Sequence, residues 1–116
     1  MQATVTPEAV ERRLVALSKE IDECQAELER AELAYHKAKT DFELGMARER
    51  LRLIGVTGLR VQDVADRALV ACSAEYSEVQ LAEAVVKAAR GNAQRVRTQV
   101  DIARSIGTSV RSALEL

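Results

Sequence analysis

The chain has 116 residues, with 17 basic residues against 18 acidic ones and a formal net charge of −1. That length fits one domain, and the near balance of charge excludes a global field drawing the protein toward nucleic acid or anionic lipid, so any such attraction must be local. One proline, no tryptophan, one phenylalanine and 19 alanines leave no β-branched and aromatic alternation of the kind strands need, and they predict an all-α fold.

In chain order, Met1 to Thr6 has no basic region followed by an apolar core, so no export signal is expected. Thr6-Pro7-Glu8 reads as a helix start: a threonine that can cap, a proline whose missing N–H costs nothing at the first helical position, and an acid at the positive end of the dipole. From there Val10, Leu14, Leu17, Ile21, Cys24, Leu28, Ala31, Tyr35, Ala38 and Phe42 recur in steps of three and four. After Phe42 the apolar positions move to Leu44, Ala47, Leu51 and Ile54, which predicts a phase slip and local unwinding centred on Gly45. Gly55 and Gly58 then break the pattern.

A second ladder follows, Val79, Ala82, Val86, Ala89, Ala93, Val96, Val100, Ala103, Gly107, Val110 and Leu114. The two ladders predict a single-domain antiparallel helical hairpin, coiled-coil-like, over residues 1–116. Its helices span about 7–54 and 61–114, with a turn at about 55–60. Folding about Val56 sets Phe42 opposite Cys72, Tyr35 opposite Val79, Leu28 opposite Val86 and Ile21 opposite Ala93, so that large residues on the first helix face small ones on the second. A break at Arg90-Gly91-Asn92 is the alternative; the ladder keeps its phase across that glycine, which favours continuity.

Apolar residues outside the seam, among them Leu33, Leu51, Leu81, Val85, Ile102 and Ile106, need cover that one hairpin cannot give. Self-association is therefore expected, most simply as a two-fold dimer forming a four-helix bundle, with Ile102, Ile106, Val110 and Leu114 at the interface. The longest purely apolar run, Ala68 to Cys72, is far short of the roughly 20 residues that span a bilayer. No membrane partner is expected, and a cytoplasmic location is. Cys24 and Cys72 sit on the core stripes, in keeping with a reducing compartment.

Arg90, Arg97, Arg104 and Arg111 repeat every seven residues and line one edge of the second helix. Between Lys87 and Arg111 six basic residues stand against one acid, Asp101, a composition suited to phosphate or to an acidic protein. The competing reading is ion pairing within the protein, because Glu20, Asp22, Glu23, Glu27, Glu29 and Glu32 make an acidic block on the first helix. Glu11 is placed to serve Arg104, whereas the residues expected to flank Arg97 and Arg90, Ser18 and Gln25, carry no charge. His36 with Glu32 lacks the Glu-x-x-His spacing of helical-bundle metal sites, and Gly55-Val-Thr-Gly58 lacks the lysine of a nucleotide loop. No catalytic, metal or cofactor residues are assigned and no enzyme is expected.

Ala31-Glu-Leu-Ala-Tyr-His-Lys-Ala-Lys39, Ala74-Glu-Tyr76 and Val96-Arg-Thr-Gln-Val-Asp-Ile-Ala-Arg-Ser-Ile-Gly107 together resemble small, largely uncharacterised helical proteins of tailed bacteriophages, sometimes encoded near recombination genes. The resemblance covers most of the chain. It implies a coiled-coil-like protein of the host cytoplasm with no active site to carry over. In size the chain also resembles the small secreted WXG-type hairpins, but it lacks their Trp-x-Gly turn. The functional expectation is a non-enzymatic, self-associating scaffold, adaptor or inhibitor that binds another protein. The alternative is a recombination-related nucleic-acid accessory protein using the arginine edge.

Overall fold

The structure, a computed structural model, describes residues 5–56 and 58–115. The described residues form three helices and no strand: α1 Pro7–Ile54, α2 Val61–Ala71 and α3 Ser73–Glu115. The Thr6 hydroxyl accepts the N–H of Ala9 at 3.1 Å and so caps α1, with Pro7 in the first turn. At the other end of α1 the Val56 N–H returns to the Leu53 carbonyl at 3.0 Å. Gly58 then takes φ 87°, the left-handed conformation that favours glycine. α2 starts where the Asp63 carboxylate accepts the Arg60 N–H at 3.2 Å.

The second half of the chain departs from the expected single helix of 61–114. The interruption falls at Cys72, with φ −101° and ψ 22°, and not at Gly91, which lies inside α3. The Cys72 N–H still reaches the Ala68 carbonyl at 3.0 Å, and the Cys72 carbonyl still accepts the Tyr76 N–H at 2.9 Å. The helix is therefore loosened for one residue and resumes. No glycine or proline stands there, so composition gave no sign of it.

The contacts divide the chain into two compact units. One comprises residues up to Leu28 together with those from Ala88 onward; the other is Glu29–Lys87. In the first, Leu17 is fully buried against Val96, Val100 and Ala103, with Leu14, Ile21 and Cys24 packed around them. Here large faces small: the bulky residues come from α1, and α3 supplies valine and alanine. Gly107 lets the helices approach closely, since a Cβ on it would lie 3.0 Å from Val10 Cγ1.

In the second unit Met46, Ala68 and Cys72 are buried together, with Phe42 packed against them. Phe42 and Cys72 thus share a cluster, as their pairing in the sequence anticipates, and the Phe42 ring also lies 5.7 Å from that of Tyr76. The expected phase slip at Gly45 does not occur. Leu44, Leu51 and Ile54 are exposed, while Met46 and Leu53 are buried, and α1 runs unbroken through Gly45. The steps of three and four continue through Phe42, Met46, Glu49 and Leu53. A half-buried Glu49, bonded to Arg52 at 2.8 Å, holds a ladder position that an apolar pattern cannot reveal. Gly45 serves the approach of the other helix: a Cβ there would stand 3.3 Å from Cys72 Sγ.

Two substitutions test this packing. Leu17→Ala should lower the unfolding free energy by about 2–5 kcal/mol, because its site is closed on all sides. Gly91→Ala, at an exposed helical position with nothing within 4 Å of a new Cβ, should raise it by about 0.5–1 kcal/mol. Urea titration at a fixed protein concentration measures both, and a loss of stability in Gly91→Ala would show that α3 is broken there.

Candidate functional site

Two features that could recognise a partner lie in the first unit, on two flanks of its seam. Successive positions on a helix turn by about 100°, so residues at spacing seven share an edge while those offset by two lie well apart. Arg97, Arg104 and Arg111 therefore follow one edge of α3, and Ile102 and Ile106 follow another.

On the arginine flank a cleft of about 410 Å³ is lined by Pro7, Val10, Glu11 and Leu14 of α1 and by Arg104, Gly107, Thr108 and Arg111 of α3. Pro7, Val10 and Leu14 give it apolar surface, and its charged groups are the two guanidinium groups of Arg104 and Arg111 against the one carboxylate of Glu11, a net positive lining. The shape follows from local choices: Gly107 has no side chain to fill the space between the two arginines. The Thr108 hydroxyl turns back to donate to the Arg104 carbonyl at 3.1 Å. The cleft is thus suited to a carboxylate or phosphate carried beside an apolar group.

Arg90, Arg97, Arg104 and Arg111 are all exposed. Arg90 is not free, whereas Arg97, Arg104 and Arg111 enter no ion pair among the described residues. Glu11 shares the cleft with Arg104 and Arg111. Four ion pairs each lie within a single helix: Arg13 to Glu20 at 3.9 Å, Lys37 to Asp41 at 2.8 Å, Arg52 to Glu49 at 2.8 Å and Lys87 to Glu83 at 3.2 Å. Glu20, the first member of the acidic block, is thereby paired with its own helix. The guanidinium of Arg13 also donates to Gln99 Oε1 across the seam at 3.4 Å.

On the opposite flank Val5, Ala9, Val10, Arg13, Ala103 and Ile106 line a smaller, almost wholly apolar cleft of about 190 Å³. Ile102 is 54% exposed and Ile106 43%, values that leave much of two large side chains in water. Val110 is half-buried and Leu114 is 69% exposed. The four residues expected at a self-association surface are therefore unequal, with Val110 partly committed to its own chain.

The remaining chemistry-bearing side chains do not assemble. Among the described residues no three His, Cys, Asp or Glu side chains converge as a metal site would require. His36 is exposed, its ring 5.7 Å from that of Tyr35. Cys24 and Cys72 are both free thiols, and burial first, then Glu75 and Glu49, holds the Cys72 thiol above its ordinary pKa, so it stays protonated and unreactive. Asp41 raises the Lys37 pKa by hydrogen bond and charge, which favours the protonated ammonium. What the sequence missed is the cleft between Arg104 and Arg111: the heptad repeat names its arginines, but its apolar lining belongs to the other helix.

Among the described residues no helix is long and apolar enough to cross a membrane. No family model, no curated protein and no solved structure matches the chain.

If Arg104 and Arg111 are unpaired within the chain, replacing both by glutamine should leave the unfolding free energy within about 0.5 kcal/mol of the parent. A larger loss in thermal or urea unfolding would assign them to the protein's own stability.

Proposed function

We propose that this protein is a non-enzymatic scaffold or adaptor that associates with itself along the Ile102 and Ile106 edge and docks an acidic segment of another protein in the Arg104 and Arg111 cleft. The observation that carries the reading is local exposure in the first unit: Ile102 is 54% and Ile106 43% exposed, and Ile106 lines a nearly pure apolar cleft. A two-fold pairing through this edge builds a four-helix arrangement and leaves the arginine flank facing solvent.

The arginine flank favours an acidic protein segment because Val10 and Leu14 line it, an apolar surface that a sugar–phosphate backbone would not use. The second reading, a nucleic-acid accessory role, rests on the same unpaired guanidinium groups of Arg97, Arg104 and Arg111. The described aromatic side chains are engaged with one another or with the core, which offers no stacking platform for single strands.

Light scattering after size exclusion separates these readings. The parent should run as a dimer or tetramer, Ile102→Glu with Ile106→Glu should run as a monomer, and an added single-stranded oligonucleotide should not co-migrate at moderate salt. A monomeric parent overturns the self-association reading. A co-migrating complex that weakens steeply with salt and is lost in Arg97→Gln, Arg104→Gln and Arg111→Gln moves the function to nucleic acid.

A further inference from the structure

The closed end of the hairpin, in the second unit, carries a feature the scaffold reading does not use. Leu51 is 72% exposed, Ile54 71%, Val56 45% and Val61 90%. Ile54 and Val61 join Val64, Ala65 and the stem of Arg50 in a shallow apolar groove of about 430 Å³. Arg50 lines this groove, and Arg48, Arg52 and Arg60, close to it in sequence, are exposed as Arg50 is. The Arg52 guanidinium is held by Glu49 at 2.8 Å. Arg48, Arg50 and Arg60 form no ion pair among the described residues. The acids that follow are occupied locally: Asp63 accepts the Arg60 N–H, and Asp66 accepts from the Gln62 side chain at 3.0 Å. From Arg48 to Val61 there are four arginines and one acid.

We propose that this end of the hairpin binds the surface of a bilayer containing anionic lipid, with Ile54, Val56 and Val61 entering the interface and Arg48, Arg50 and Arg60 on the headgroups. Aliphatic side chains with guanidinium groups close to them in sequence satisfy both terms of interfacial binding, apolar burial and attraction to anionic lipid. The competing occupants satisfy only one. A second copy docked about a two-fold axis would set the same unpaired arginines against themselves. A nucleic acid would neutralise the arginines but leave the aliphatic side chains in water. The binding is peripheral, since among the described residues no helix is long and apolar enough to cross a membrane, and it is local, so the protein's overall charge of −1 does not oppose it beyond a Debye length.

Flotation with vesicles tests the proposal on the intact chain, using phosphatidylcholine alone and phosphatidylcholine with one-third phosphatidylserine. The protein should float with the anionic vesicles at low salt and remain behind with the neutral ones. Each of Arg48→Gln, Arg50→Gln and Arg60→Gln should weaken vesicle affinity about five-fold. Ile54→Glu with Val61→Glu should abolish flotation, while Leu33→Glu, at a position equally exposed in the same unit, should leave it unchanged; circular dichroism confirms that these surface variants fold. The proposal is overturned by a parent that ignores anionic vesicles or by flotation that survives Ile54→Glu with Val61→Glu. It is equally overturned if that double variant lowers the solution mass without vesicles, because the groove then belongs to a second copy. Self-association through Ile102 and Ile106 concerns a different surface and is read separately by light scattering.

Discussion

The structure depends on a seam only one layer of side chains deep. Leu17 disappears completely between Val96, Val100 and Ala103 because a bulky residue on one helix meets small ones on the other, which brings the backbones close enough to exclude water. The same thinness sets the rest of the molecule's character. A helix that buries one stripe against a single neighbour leaves its remaining faces in solvent, and here those faces carry Leu33, Leu51, Leu81, Val85 and Ile102. Each is exposed within its own unit, which puts aliphatic surface beside the charged groups that could meet a partner.

The seam is tuned where a side chain is missing. Gly107 opposite Val10 and Gly45 opposite Cys72 Sγ each remove a Cβ that would otherwise stand within 3.0 and 3.3 Å of the partner. At the second site the accommodation is shared, since the backbone at Cys72 leaves helical geometry for one residue while keeping its own hydrogen bonds to Ala68 and Tyr76. A buried sulfur, a glycine and a loosened turn thus meet at one point, and the result is a core position whose thiol is kept protonated by desolvation. Gly91 shows the contrast. It meets nothing and lies within unbroken helix, so it contributes only the entropic weakness of glycine.

What could be read from the sequence followed from period, and what could not followed from neighbours. Steps of three and four located the residues that are in fact buried or half-buried from Val10 to Phe42 and from Val79 to Val110, because that spacing is a property of one helix alone. The ladder became illegible where Glu49 occupies an inner position: a carboxylate whose stem is half-buried and whose charge is taken by Arg52 counts as polar in any pattern. The exposed Leu44 and Leu51 then imitated a phase slip. The interruption at Cys72 was hidden for a different reason, since no helix-breaking residue stands there. The arginine edge was legible as a heptad repeat. The ion pairs formed by Arg13, Lys37, Arg52 and Lys87 stay within their own helices, where residues three, four or seven apart face one another without any demand on hairpin register.

Charge and apolar area are sorted onto separate flanks of the first unit, and that separation has a consequence for binding. The cleft of Arg104 and Arg111 and the cleft of Val5, Ala9 and Ile106 share only Val10. A contact made along one flank therefore leaves the other open. Under the reading proposed above, two copies joined isologously through Ile102 and Ile106 present two equivalent arginine clefts related by the two-fold axis. A partner with two acidic segments then engages both, the second binding being intramolecular, and modest affinity at each exposed cleft is multiplied without any new contact. Weak single sites are what exposed guanidinium groups in high dielectric provide. Under that reading, pairing the protein with itself is the physical route by which two exposed clefts hold a partner firmly.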